Sequence, residues 1–191
     1  MKKSTIVIIA IVAVIAIIGA MCVSNYNTLV TARESVDSAE ANVDTYLQRR
    51  ADLIPNVVGC VKSFAKHETE VFDKVLAARE KLVGADTVAD KAQANQELTS
   101  ALQGLTLVVE NYPELKSDTT YVALMDELEG SENRIATARK DYNDTVQAYN
   151  NKIIKFPANV FAGIFGFEKA EYFEADEGAQ DAPSVDELLG D

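Results

Sequence analysis

The chain opens on an unbroken apolar run and then changes rhythm. Ile6–Val23 is 18 residues without a charge, set inside an uncharged stretch from Ser4 to Ala32. A helix rising about 1.5 Å per residue makes that run long enough to cross a hydrocarbon layer of roughly 30 Å. The pattern therefore predicts a transmembrane helix within residues 1–25. Beyond it apolar positions recur at helical spacing, with no strand-like alternation. Leu29, Val36 and Val43 stand seven apart, with Ala32, Ala39 and Tyr46 on a second line, which predicts a helix from Asn27 to Arg50. Ile54, Val57, Val61, Phe64, Val71, Val75, Ala78 and Leu82 predict another from Leu53 to Val83, stopped by Gly84. Ala92, Leu98, Leu102, Leu105 and Val109 predict a third over Thr87–Asn111, and Asn111–Asp118 reads as a turn ending in a capping Ser or Asp. The last, Thr119–Lys155, carries the most regular line: Tyr121, Leu128, Ile135, Tyr142, Tyr149 and Phe156, each seven from the next.

Four amphipathic helices on short connections bury their stripes best against one another, so the expected fold is all-α: a transmembrane helix followed by an antiparallel up-and-down four-helix bundle. The bundle is expected to occupy 26–173, with a disordered tail over 174–191. The decisive stretch is RRADLIPNVV, Arg49–Val58. Arg49 and Arg50 suit the negative end of a helix dipole, Asp52 suits an N-cap, and Pro55 is tolerated in a first turn. That favours a break after Arg50. A continuous, kinked helix from Asn27 to Val83 is the alternative.

Charge narrows the function. A net charge of −12 and a pI near 4.5 exclude a general nucleic-acid binder, which needs clustered Lys and Arg. Lys2 and Lys3 precede the apolar run, and by the positive-inside rule this places the N-terminus in the cytoplasm and the bulk of the chain outside. The stretch before Ser24 lacks a small-x-small cleavage pattern, so the span is expected to be retained. Cys22 and Cys60 make no disulfide framework or zinc spacing. The single histidine, His67, cannot supply the two Glu-x-x-His motifs of a carboxylate-bridged metal bundle. No nucleophile elbow and no phosphate-binding glycine loop is present. No catalytic residue, metal or cofactor is expected, and the protein is read as a non-enzyme.

Two features remain. Polar residues fall on or beside the apolar seams, and such groups must pair if buried. A network of Arg49, Arg50, Asp52, Glu68, Arg79, Glu132, Arg139 and Asn143 is therefore predicted, either as a device for helix register or as a binding or switching site. Ile153–Phe173 gathers Phe156, Phe161, Phe165, Phe167 and Phe173 around Pro157, Gly163 and Gly166. This segment is either a short helix folded over the bundle or a surface for the bilayer or a partner. After it, Glu174–Asp191 holds seven acids and no base.

Leu47–Arg79, Leu128–Phe167 and the stretch ENYPELKSD (Glu110–Asp118) together resemble the LemA family of bacterial membrane proteins. The resemblance implies an N-terminal membrane helix followed by an antiparallel four-helix bundle. It implies no established activity, catalytic residue or cofactor, and one branch of the family is linked to building magnetosome membranes. The function expected is that of a single-pass protein of the bacterial inner membrane, its soluble part extracytoplasmic. It would act as an interaction or scaffolding module for a protein partner or a second copy. The alternative is a sensor of a charged ligand built on the polar network.

Overall fold

The computed structural model describes residues 3–174. Among them are six helices and no strand: α1 (Lys3–Phe64), α2 (Thr69–Val83), α3 (Val88–Val109), α4 (Pro113–Lys116), α5 (Thr119–Ile154) and α6 (Ala158–Phe165). The predicted break after Arg50 does not occur. α1 passes through Arg50, Asp52 and Pro55 and ends only at Phe64, so the expected first and second helices are redrawn. The continuous alternative to Val83 fails as well, because the chain turns at residues 65–68.

The reason lies in the stripe. Leu29, Ala32, Val36, Val43, Leu47, Ala51, Ile54, Val58, Val61 and Ala65 are all buried. They follow the 3.6-residue period of a straight α-helix for about ten turns rather than a strict heptad. Stopping at Arg50 would cut that stripe in half. It also means that Asp52 is not an N-cap and that Arg49 and Arg50 do not finish a helix.

Other boundaries follow local chemistry. Thr87 caps α3 by accepting from Asp90 N at 3.1 Å. Pro113 opens α4, and Asp118 Oδ1 accepts from the backbone N–H groups of Thr120 and Tyr121 at 2.9 Å each, capping α5. On α5, Tyr121, Leu128, Ile135, Tyr142 and Tyr149 are buried as the heptad predicts. Phe156 departs from it: the helix has ended at Ile154, and the ring is 83% exposed.

The described residues divide into two compact units, one formed by 3–43 with Ala138–Glu171, the other by Asp44–Thr137 with 172–174. Among the described residues α1 is the one helix long and apolar enough to cross a membrane, and none of its apolar 18-residue window is buried. Of the acidic tail only Glu174 falls within the described residues.

Candidate functional site

In the second unit, the polar residues that sit on the stripes meet one another. Arg50 lies on the buried face of α1, one position before Ala51, so its guanidinium cannot reach water along the shortest path. It is met from two helices. Nη1 donates to Asn95 Oδ1, and Nη2 donates to Thr99 Oγ1 at 3.0 Å, both on α3. From α5, Glu132 Oε2 lies 2.7 Å from Nη1, an ion pair whose oxygen does not lie along the N–H direction. Among the described residues Nε of Arg50 has no hydrogen-bond partner. The Arg50 side chain is 5% exposed and that of Glu132 42%, so the pair opens to solvent on the α5 side. Burial lowers the guanidinium's proton affinity, and the Glu132 charge raises it again.

Around this centre the other contacts tie the same segments together. Lys91 of α3 pairs with Asp44 of α1 at 2.7 Å, and Arg49 pairs with Glu127 of α5 at 2.6 Å. Arg79 of α2 donates its Nε–H to the carbonyl oxygen of Ala51 at 2.9 Å. A groove of about 280 Å³ beside them is bordered by Asp44, Gln48, Leu82, Asp86 and Lys91. Further along, Cys60 Sγ stands 3.9 Å from Asp118 Oδ1, and burial first, then Asp118, raises the thiol pKa. Pairing Arg50 with Glu132 and Cys60 with Asp118 means that α1 and α5 run in opposite directions here.

The expected network is thus brought together only in part. Arg49, Arg50, Arg79 and Glu132 make cross-helix contacts, but Asp52 is exposed and accepts only from Gln48, four residues before it on its own helix. Glu68 lies in the turn before α2 and makes no side-chain cap. The helix carries the chain about 20 Å beyond Arg50 before that turn begins. Arg139 and Asn143 are half-buried on α5 within the first unit. His67 is exposed in the same turn as Glu68. Among the described residues no group of three or more His, Cys, Asp or Glu could hold a metal ion. Asn95, Thr99, Lys91 and Asp44 went unseen because each reads as an ordinary helix-surface residue. Only the neighbouring helices put them on Arg50 and on each other.

The first unit holds a second cluster, built on the aromatic segment. Gly166, at φ +73°, ends α6, and Phe167 N donates to Ala162 O at 2.9 Å. That pattern reverses the chain cheaply only where no side chain opposes a left-handed φ. The extended stretch that follows lies along α5. Tyr149 donates its hydroxyl to Glu168 O at 2.8 Å and Tyr142 to Glu171 O at 2.9 Å. Asn150 both donates to Ala170 O and accepts from Ala170 N, each at 2.9 Å. The Tyr-Asn repeat of α5 therefore grips this strap as well as filling a core. Arg33 stands over the Tyr149 ring at 5.9 Å. Tyr26 of α1 meets Phe165 and Phe167 edge-on, with centroids 5.0 and 6.0 Å apart. Of the five phenylalanines expected to form one surface, Phe173 is buried, Phe161 and Phe167 are half-buried, and Phe156 and Phe165 are exposed.

Known proteins share this chain's sequence over most of its length. It is 31% identical over 204 residues to the magnetosome protein MamQ 2 of Paramagnetospirillum magneticum, covering 93% of this chain and 74% of that protein. The magnetosome protein MamQ of Magnetospirillum gryphiswaldense is 28% identical over 203 residues, with the same coverage. Protein LemA of Metamycoplasma hominis is 22% identical over 156 residues, covering 81% of this chain and 71% of that one. The sequence model of the LemA family matches residues 39–186. A match that takes in both the Arg50 cluster and the Tyr-Asn repeat leaves no doubt of kinship: this chain belongs to the LemA family.

Proposed function

We propose that this is a membrane-anchored scaffold of the bacterial cell envelope, working by binding rather than by catalysis. One observation carries the reading. α1 runs without a break from a fully exposed apolar window into the segment that Arg50, Lys91 and Arg79 tie to α3 and α2, so a single helix carries both the anchor and the polar contacts. In this reading α1, α2, α3 and α5 make an antiparallel up-and-down bundle. The apolar window sits in the inner membrane, the bulk of the chain is extracytoplasmic, and the partner is another protein or a second copy. The magnetosome names of two relatives support a role in organising membranes.

The test is crosslinking in intact cells from surface positions of the bundle, followed by recovery from solubilised membranes. A discrete crosslinked partner, or a discrete homo-oligomer, supports the scaffold, and only monomer at every position tested overturns it. Labelling a cysteine placed in the acidic tail with an impermeant reagent reads the sidedness independently.

A second reading rests on the Arg50 cluster, in which the buried guanidinium keeps an unused N–H and the paired Glu132 Oε2 accepts no hydrogen bond. There the bundle is a sensor, and a small anion competing with Glu132 for Arg50 shifts the helices. An anion-dependent rise in melting temperature that Arg50→Met abolishes would favour this reading over the scaffold.

A further inference from the structure

Among the described residues α6 presents an exposed apolar face. Val160 and Ile164 stand four apart on α6, hence on one side, and are 50% and 68% exposed, and Phe156, just before the helix, is 83% exposed. Ala162 is buried, and Phe165 is turned to Tyr26. Ile154, at the end of α5, is exposed as well. Exposed side chains of this size cost about 1.5–3 kcal/mol each relative to burial, so such a face in water marks a contact surface.

The position of the face identifies what covers it. The apolar window of α1 ends at Val23, and Tyr26 follows about 4.5 Å further along the axis. That height is the interfacial layer, where tyrosine rings concentrate. Phe165 and Phe167 pack on that same ring. Arg33, about 10 Å beyond Tyr26, stands at Tyr149, so the end of α5 descends from Tyr149 toward the level of Tyr26 before α6 begins. Lys152 and Lys155 precede α6 in the chain, long enough to keep their charges in the headgroups, while Glu168 and Glu171 lie on the strap that follows it.

We infer that α6 is an interfacial helix, lying in the headgroup layer of the bilayer that α1 crosses, with Phe156, Val160 and Ile164 in the upper acyl chains. The inference rests on the anchor reading and adds a second, lateral contact with the same membrane. Two lysines against nearby acids make the contact apolar rather than electrostatic, so zwitterionic lipid suffices.

The test uses the full chain, with Cys22→Ser and Cys60→Ser, reconstituted in phosphatidylcholine nanodiscs at one chain per disc. Single spin labels are introduced through Ile15→Cys, Val160→Cys, Ile164→Cys and Gln147→Cys, all exposed positions that tolerate a label. Relaxation by oxygen and by a water-soluble nickel chelate reports depth. The expected result is an oxygen-to-nickel accessibility ratio at Val160 and Ile164 severalfold above that at Gln147 and approaching that at Ile15. A lipid value at Ile15 with an aqueous value at both α6 positions overturns the interfacial helix and leaves the anchor standing. Exclusion of both reagents from the α6 labels also overturns it, since protein then covers the face. An aqueous value at Ile15 overturns the anchor reading itself.

Discussion

Arg79 hydrogen-bonds the carbonyl oxygen of Ala51, the acceptor that Pro55 deprives of its helical partner. In an uninterrupted α-helix the N–H of residue 55 would donate to that oxygen, and proline has none to give. The oxygen belongs to a buried residue, where an unsatisfied carbonyl is expensive. Helix α2 therefore supplies from outside the bond that α1 lacks, and α1 continues through a residue that would otherwise end it.

This relationship predicts a non-additive pair. Arg79→Ala should destabilise the protein by about 1–3 kcal/mol, the cost of a buried unsatisfied carbonyl. In a Pro55→Ala background residue 55 regains its N–H, and the same Arg79→Ala change should cost less than half as much. Thermal unfolding followed by circular dichroism in detergent measures all four proteins. Equal costs in both backgrounds would show that Arg79 serves some other purpose.

The Arg50–Glu132 pair predicts an asymmetry. Glu132→Ala strands a guanidinium that is 5% exposed, for which breaking a buried pair costs roughly 3 kcal/mol or more. Arg50→Met instead leaves Glu132, whose side chain is 42% exposed and can turn its carboxylate to water, while methionine fills the space on the stripe. Arg50→Met should therefore be the milder change by at least about 1 kcal/mol. Equal melting temperatures for the two variants would contradict the geometry.

Cys60 should be a slow thiol. Burial and the Asp118 charge both disfavour its thiolate. Asp118→Asn keeps an N-cap for α5 and removes the charge, so alkylation of Cys60 near pH 8 should quicken with little change in melting temperature. The sign for stability follows. A thiol pKa raised in the folded state contributes stability in full below the unfolded value of about 8.5, and that contribution is lost as pH rises through the folded value. Alkylation rates in a Cys22→Ser background decide the matter, and a variant no faster than the parent would refute the role of Asp118.

The strap held by α5 should come loose when its amide grip is cut. Asn150→Ala removes two hydrogen bonds to Ala170, each contributing about 0.5–1.5 kcal/mol. Trypsin cleavage after Lys169, which lies between the gripped carbonyls of Glu168 and Ala170, should accelerate on the order of tenfold. Tyr149→Phe should give a smaller increase, because one bond is lost. An unchanged rate in Asn150→Ala would show that the strap is held by other contacts.

Much of the fold was legible in the chain. The apolar window, the third helix with its start at Thr87, a Ser or Asp cap before the last long helix and the spine from Tyr121 to Tyr149 depend on local spacing and local hydrogen bonds, whereas the turn expected over Asn111–Asp118 holds the short helix α4. The candidate site was legible only as a list of polar residues on apolar seams. Arg50 and Glu132 were among them, but Arg50's other partners, Asn95 and Thr99, carry no mark in sequence.

By itself the sequence determined what each segment does alone: where an apolar stripe runs, which residue caps a helix, which stretch is long and greasy enough for lipid. The tertiary structure decided where α1 stops and which polar groups meet. The local signals at Arg49, Arg50, Asp52 and Pro55 all favour a break, and they are overruled by a stripe that gains burial over about ten turns and by a donor 28 residues further along. Phe156 shows the same from the other side: its heptad position promised a core, but a side chain is buried only where another element arrives to cover it.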